Sequence, residues 1–345
     1  MEKDLKNLRL DQLTELVTSM GEKSYRAGQI FAWLSGGSVS FDEMTNVPGA
    51  LREKLKDDGF HIGRLEILKK QESKTDGTRK YLFGLNDGNT IESVFMKYKY
   101  GNTLCVSSQA GCRMGCAFCA STLGGLCRDL TAGEMTGQID AAEKDTGQKI
   151  NHIVVMGSGE PFDNYENLAS FIRIVTDPRG RNMSMRHITV STCGIIPGIE
   201  KFAEDFPQAN LAISLHAASD DERSAIMPVN RKYGLKELMD ACRQYTSATS
   251  RRITFEYTLI KGVNDGAADS RRLASLLRGT LCHVNLIPLN KVDETGYDTV
   301  SRRDAESFRK ALESAGIPAT IRRELGDDID GACGQLRLGR RRQDT

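Results

Sequence analysis

Cys112-Arg113-Met114-Gly115-Cys116-Ala117-Phe118-Cys119 sets three thiols at the spacing C-x3-C-x2-C on one short stretch of chain. Gly111 and Gly115 let the backbone wrap tightly around whatever the sulfurs hold. Runs of this kind ligate iron–sulfur clusters, and three cysteines leave a four-iron cluster one protein ligand short. The iron without a thiolate is then open to a small molecule. Other readings fit less well. A structural zinc site wants four ligands, usually as two separated pairs, and the fourth here would be Cys105 or Cys127 at unsuited spacings. Haem attachment needs His directly after C-x-x-C, and residue 120 is Ala. A thioredoxin-like C-x-x-C leaves Cys112 unexplained. The nine cysteines are odd in number and no secretory signature is present, which argues against a disulfide framework.

Around that stretch the chain runs to 345 residues, enough for one large core and an accessory domain. With 39% hydrophobic and 27% charged residues it reads as an ordinary soluble globular protein. The first residues alternate in charge and no apolar run reaches membrane-spanning length, so the expected place is the cytoplasm, with no membrane partner. A net charge of +1 argues against a uniformly basic nucleic-acid binder but leaves room for local patches. Arginine pairs recur at Arg251-Arg252, Arg271-Arg272, Arg302-Arg303 and Arg322-Arg323, and such pairs are mostly solvated faces. The terminal run Arg340-Arg341-Arg342 is the best candidate for phosphate contact.

Leu8 to Asp58 has helical periodicity, broken at Gly21, and reads as a small helical module. Such a module fits nucleic-acid binding and a plain helical core equally, and Lys23, Arg26 and Trp33 do not decide between them. From Leu65 the period becomes two. Strands are expected at Leu65–Leu68, Arg79–Phe83 and Thr90–Phe95, with Asn86-Asp87-Gly88 as a hairpin turn. Glu92 in the third strand is either an outward carboxylate or an inward acid or base, with even weight.

After Leu104-Cys105-Val106-Ser107, strands near 152–156, 187–191, 210–214, 251–257 and 283–288 alternate with helices near 132–145, 165–175, 235–245, 269–277 and 302–314. That repetition implies an α/β fold whose parallel sheet curls through right-handed crossovers into a full or partial barrel. Its chemistry should lie at the C-terminal strand ends. The cysteine loop is one such end. Others are Gly157-Ser158-Gly159-Glu160-Pro161, Ser191-Thr192-Cys193-Gly194, Ser214-Leu215-His216 and Pro288-Leu289-Asn290. The G-x-G there lacks its third glycine, since residue 162 is Phe, so it is a poor dinucleotide fingerprint. Residues 326–335 are glycine-rich, acidic and without period, which reads as a mobile loop carrying an accessible Cys333. Cys127, Cys193, Cys242 and Cys282 read as small buried hydrophobes.

The C-x3-C-x2-C spacing, with aromatic Phe118 before the third cysteine, resembles the motif of the radical-SAM superfamily. There the open iron binds S-adenosylmethionine and reduces it to a 5′-deoxyadenosyl radical. Further stretches match in step: Tyr25-Arg26-Ala27-Gly28-Gln29, Ile91-Glu92-Ser93-Val94, Cys105-Val106-Ser107-Ser108-Gln109, Gly159-Glu160-Pro161, Ser214-Leu215-His216, Ile226-Met227-Pro228-Val229-Asn230 and Gly326-Asp327-Asp328 to Gly334-Gln335-Leu336. Together they resemble the RlmN/Cfr family of radical-SAM RNA methyl synthases over nearly the whole chain. Cys119-Ala120-Ser121-Thr122 is similar to the RlmN branch, whereas Cfr proteins tend to continue Cys-Ala-Thr-Gly.

The resemblance implies a partial (βα)6 TIM-like radical-SAM barrel with a small N-terminal helical domain and a β-hairpin extension. It divides the chain into an RNA-binding helical domain (1–60), a strand extension (61–101), the barrel (102–325) and a C-terminal catalytic loop with a basic tail (326–345). It implies methylation of adenine C2 in 23S rRNA, and in tRNA. C2 is an electron-poor carbon that cannot attack a SAM methyl group as a nucleophile would. In the family mechanism Cys333 first takes a methyl group from one SAM by displacement. A second SAM, on a [4Fe-4S] cluster held by Cys112, Cys116 and Cys119, supplies the radical that activates the methyl-Cys333 carbon. The carbon adds to C2, giving a covalent protein–RNA adduct. Glu92 matches the family's proton acceptor, and Cys105 resolves the adduct through a Cys105–Cys333 disulfide that is reduced afterwards. Gly159, Glu160, Ser191, Ser214, His216 and Asn290 match SAM-contacting positions. The implied partners are 23S rRNA, tRNA and an electron donor such as flavodoxin or ferredoxin, and the implied state is a monomer. Cfr-type methylation at C8 uses the same cysteines and stays open as the alternative.

Overall fold

The computed structural model describes residues 3–323, 325–329, 331, 334–336 and 339–340. Three helices come first: α1 (Leu10–Ser19), α2 (Tyr25–Ser35) and α3 (Gly49–Asp57). Leu10, Leu13 and Val17 of α1, and Ala27, Ile30, Phe31 and Leu34 of α2, recur every three or four residues. Each helix therefore presents one apolar stripe, and these stripes are buried in the same core as the barrel's own apolar residues.

An antiparallel meander follows, made of β1 (Glu66–Glu72), β2 (Arg79–Gly84) and β3 (Asn89–Tyr98). The expected turn at Asn86-Asp87-Gly88 is present, with Gly88 at φ 85° where a left-handed residue is needed. β4 (Gly101–Cys105) then pairs antiparallel with β3 on one side and parallel with β7 (His152–Val155) on the other. The meander is thus continuous with the barrel sheet.

Between β4 and β7 the chain makes a small hairpin, β5 (Gln109–Gly111) and β6 (Leu126–Asp129), and the helix α4 (Ala132–Thr146). Next come α5 (Tyr165–Thr176), β8 (Ile188–Thr192), α6 (Ile196–Asp205), β9 (Asn210–Ser214), α7 (Asp220–Ile226) and α8 (Leu235–Thr249). The chain continues with β10 (Ile253–Leu259), α9 (Ala267–Leu277), β11 (Cys282–Pro288), α10 (Arg302–Ser314), β12 (Ala319–Ile321) and β13 (Gly339–Arg340). The sheet order is β1-β2-β3-β4-β7-β8-β9-β10-β11-β12, with β13 laid against Asn89 and Thr90 of β3. The sheet is open: β1 and β12 end it.

The parallel strands show why this is a partial barrel with a usable lumen. Ile153, Val155, Ile188, Val190, Leu211, Ile213, Phe255, Val284 and Leu286 are buried in the main core. The alternate residues, among them Ser191, Ser214, Glu256 and Asn285, point the other way. A parallel strand covered by apolar layers on both faces would be apolar throughout. Here one face was left for polar contacts.

Several elements were not expected from the sequence, among them the helices α6 and α7 and the short strands β5, β6, β12 and β13. A proline next to a glycine hides the start of α6, yet Pro197 sits in its first turn, where its missing N–H costs nothing. α7 has seven residues, too few to establish a period. Within the stretch 326–335, expected as a loop, the described residues make local contacts. Asp327–Ile329 form a 3-10 turn, Asp76 accepts the Gly326 N–H (3.0 Å), and Asp328 accepts that of Lys74 (3.0 Å).

Candidate active site

The cysteine loop leaves β5 and returns through β6, so the hairpin grips it at both ends. Gly111 and Gly115 have φ of 80° and 72°, the left-handed conformation that favours glycine. Inside the loop the Cys112 N–H donates to Gly125 O (3.0 Å), the Cys119 N–H to Cys116 O (3.1 Å), and the Ala117 N–H to Ile226 O at the end of α7 (2.9 Å). All three cysteines line one cavity that encloses about 1030 Å³ of open space, mouth included. No trio of His, Cys, Asp or Glu among the described residues is arranged around a single metal ion. One thiolate per iron, with the sulfurs spread around a shared opening, suits a cluster better than a lone zinc. Burial pushes the Cys112 thiol up to about 12, with Glu160 and Cys119 adding to the shift, and burial raises Cys116 as well. Such thiols stay protonated until a metal centre reverses that preference.

The same cavity is lined by Gly159, Glu160, Ser191, Ser214, His216 and Asn290, so the expected positions from four strand ends converge with the cysteine loop. Each is held for a reason. Gly159 has φ 107°, and a Cβ there would stand 2.6 Å from Gln109 Cβ, so only glycine fits. Ser191 Oγ and Ser214 Oγ lie 3.4 Å apart on adjacent strands. His216 adopts φ 57°, accepts the Thr258 N–H at Nδ1 (2.9 Å) and meets Phe118 edge-on at 4.9 Å. With Nδ1 an acceptor, the ring is neutral and its proton sits on Nε2. Burial, with Arg223 nearby, lowers its pKa to about 3.

Glu160 belongs to a buried group whose other member, Arg223, the sequence reading missed. Glu160 Oε2 accepts the Cys193 N–H (2.7 Å) and Oε1 the Phe162 N–H (3.0 Å), while burial raises its pKa. Arg223, fully buried on α7, donates to Cys193 O (2.6 Å), Ser214 O (3.1 Å), Leu215 O (3.0 Å) and Asn230 Oδ1 (2.9 Å). The Cys193 peptide is therefore strung between a buried carboxylate and a buried guanidinium. No signal in the sequence singled out Arg223, which lies three residues before the matching stretch that begins at Ile226. The Cys193 thiol is itself buried, and burial drives its pKa far up, as for an inert hydrophobe. Cys242 and Cys282 are buried too, but Cys127 is exposed. It falls on the outward side of β6, which corrects the expectation of four buried thiols.

Cys105 lines an adjoining cavity with Val94, Met96 and Met156, and the two cavities share Met156, Ile287, Asn290, Arg322 and Leu336. Glu92 stands on the same face of β3 as Val94, which pairs with Cys105, with Lys80 Nζ 3.0 Å from its Oε1, and lines neither cavity itself. Cys333 lies outside the described residues, as do Arg341 and Arg342. Its neighbour Gly334 lines the first cavity and accepts the Ala120 N–H of the cysteine loop (2.8 Å). Ser121 Oγ donates to Leu336 O (2.8 Å), and Leu336 packs with Cys105.

An open parallel barrel with an under-liganded cysteine trio at the mouth is the arrangement of a radical-SAM enzyme. The profile described as the radical SAM superfamily matches residues 106–274, and that of the ribosomal RNA large subunit methyltransferase N-terminal domain matches residues 3–59. A crystal structure of a radical SAM methyltransferase from Sphaerobacter thermophilus superposes with a TM-score of 0.92 at 46% identity, over 97% of this chain and 99% of that one. The probable dual-specificity RNA methyltransferase RlmN of Lachnospira eligens is 51% identical over 97% of this chain and 95% of its own. Its counterpart in Alkaliphilus oremlandii is 53% identical over 98% of each. The chain belongs to the RlmN family of radical-SAM methyltransferases, and a [4Fe-4S] cluster and S-adenosylmethionine are its cofactors.

Proposed function

We propose that this enzyme methylates C2 of an adenine in 23S rRNA and C2 of an adenine in tRNA. When bound, the cluster and SAM supply the methyl group and the carbon radical that an electron-poor ring carbon requires. Cys112, Cys116 and Cys119 hold the cluster, and Gly159, Glu160, Ser191, Ser214, His216 and Asn290 hold SAM against it. Cys333 carries the methyl carbon to the ring, Glu92 accepts the C2 proton, and Cys105 releases the product by forming a disulfide with Cys333.

One observation carries this reading: the segment flanking Cys333 is bonded to the cysteine loop at Ala120 and Ser121 and packs on Cys105. A thiol carrier, its resolving thiol and a radical source must share one opening, and these are the chain's own means of joining them. The dual-specificity name of the relatives supports two RNA classes. The helical module supports RNA contact through Tyr25, 53% exposed with the Arg26 guanidinium 4.7 Å from its ring centre, a pair suited to base stacking. The Arg340–Arg342 tail adds phosphate contacts. An electron donor such as flavodoxin or ferredoxin feeds the cluster, and the enzyme acts as a cytoplasmic monomer. No helix among the described residues is long and apolar enough to cross a membrane.

The test is anaerobic reconstitution followed by nucleoside mass spectrometry of 23S rRNA fragments and bulk tRNA treated with labelled SAM. 2-Methyladenosine in both is the expected result, and 8-methyladenosine alone would replace this reading by the Cfr-type one. Cys105→Ala should leave protein covalently attached to RNA, and the absence of any such species under turnover would remove Cys105 from its role.

A further inference from the structure

We propose that Lys80 is a positioning residue for the proton-transfer step: it anchors the Glu92 carboxylate on the face that Cys105 shares. This rests on the reading of Glu92 as the acceptor of the adenine C2 proton. The geometry is explicit. Lys80 Nζ lies 3.0 Å from Glu92 Oε1, and the two side chains are 8% and 12% exposed. In the sheet Lys80 pairs with Val94, Val94 with Cys105, and Cys105 with Val154. Paired residues project from one face, with neighbouring strands about 4.8 Å apart, so Lys80 and Cys105 belong to one cross-strand row. Glu92, two residues before Val94, points the same way.

The backbone beneath Glu92 is fixed as well. Its carbonyl accepts from Ser107 Oγ (2.6 Å), which also accepts the Ser158 N–H (2.9 Å), and the Ser107 N–H donates to Gln138 Oε1 (2.8 Å). The peptide that carries the carboxylate is thereby tied to the segment leaving Cys105 and to the glycine-rich end of β7.

Stability gives no sufficient reason for this pair. Its surroundings on that face are apolar, with Val94, Met96, Cys105, Leu325 and Leu336 forming one cluster. A buried ion pair in such a place is commonly no more stabilising than apolar residues of the same volume. Its chemical use is clear instead. A carboxylate that must meet a ring proton held in a covalent adduct has to be aimed before the adduct forms. In the step itself the C2–H bond breaks, its electron pair stays with the ring, and the proton passes to a Glu92 oxygen. The Lys80 nitrogen makes and breaks no covalent bond.

The assay reads covalently RNA-bound protein on denaturing gels during anaerobic turnover with SAM, reductant and an rRNA fragment, alongside the methylation rate and the mass of the Cys333 peptide. Lys80→Met is expected to slow methylation roughly ten-fold or more, less than the roughly 10²–10⁴-fold at stake if the general base itself were lost. It should raise the RNA-bound fraction several-fold and leave methylation of Cys333 intact, and Lys80→Arg should restore both readouts. A Lys80→Met enzyme that turns over at the native rate, or that slows without accumulating adduct, overturns the proposal. If Lys80→Met lowers iron content or thermal stability, Lys80→Gln is read in the same way. Glu92→Gln separates the two layers. Adduct in Glu92→Gln but in neither Lys80 variant rejects Lys80 alone, whereas no adduct in Glu92→Gln or Cys105→Ala rejects the reading of Glu92 beneath it.

Discussion

Two of the buried charge groups among the described residues are built on opposite plans. At the seam between the helical module and α4, Lys6 meets Asp140 at 2.6 Å, and Arg181 joins Asp140 and also Glu143 (2.7 Å). Every charge there has a counter-charge. At the cavity, Glu160 and Arg223 are each held by neutral groups only, through N–H and C=O dipoles and one side-chain amide. A paired group is complete in itself and acts as a joint. One whose charges are met only by dipoles remains electrostatically open, and a site for a zwitterionic sulfonium beside an anionic cluster asks for that.

Breaking the joint should have the largest effect. Asp140→Ala leaves Lys6 and Arg181 without their shared partner, both buried, and removing one side of a buried pair costs about 3–5 kcal/mol. The urea midpoint should fall accordingly, with the helical module loosened first, as seen by hydrogen exchange across α1 and α2. A loss below about 1 kcal/mol would mean that the seam is wet and the contrast drawn here is wrong.

Arg223→Met tests the other plan and should cost less. It removes a buried charge that had no carboxylate partner, which is favourable, but takes a donor from the Cys193 and Ser214 carbonyls and the Asn230 amide oxygen, which is not, while Leu215 O keeps the Ala217 N–H (2.8 Å). Losing one donor costs each of these oxygens about 0.5–1.5 kcal/mol, the net worth of an ordinary hydrogen bond, and relief of the charge offsets part of that. The effect on binding should exceed the effect on folding, since Arg223 ties the ends of β8 and β9 that carry Ser191 and Ser214. SAM affinity by equilibrium dialysis on the reconstituted protein should fall ten-fold or more. A variant that lost as much stability as Asp140→Ala and bound SAM normally would make Arg223 a joint after all.

The contrast also marks what could be read from the sequence. The barrel was legible because its strands carry apolar residues on alternate positions and its helices keep their period, and the cavity was legible because cysteines, glycines and polar residues stand at successive strand ends. The RNA-modifying family followed from those residues in that order. Charge pairing was not legible. Lys80 and Glu92 are 12 positions apart and meet only through the register of β2 and β3, and Lys6 finds Asp140 across a separation of 134 residues. Arg223 drew no reading at all, because nothing local says that the chain at 220–226 folds inward over two strand ends. Burial depends on what packs against a residue, and a one-dimensional pattern reports only the residue.

The smallest effect belongs to a third charged group, exposed where the other two are buried. Asp87, in the β2–β3 turn, accepts the Asn89 N–H (3.0 Å) and Nδ2–H (2.9 Å) and pairs with Arg128 of β6. Partial burial pushes its pKa up, but Arg128 and Asn89 outweigh that and bring it from 3.8 down to about 2. A folded value below the unfolded one stabilises the protein at any pH above the unfolded value, and that contribution is lost as pH falls through the folded value. The window is therefore between about pH 4 and pH 2. The Asp87 side chain is 38% exposed, so water and salt screen the pair and its worth is about 0.2–1 kcal/mol. Native protein and Asp87→Asn should differ in urea midpoint above pH 4 and converge towards pH 2, with the gap narrowing in high salt. A gap that stayed constant across that window would mean that the turn is held by shape alone and that its charge pair contributes nothing to folding.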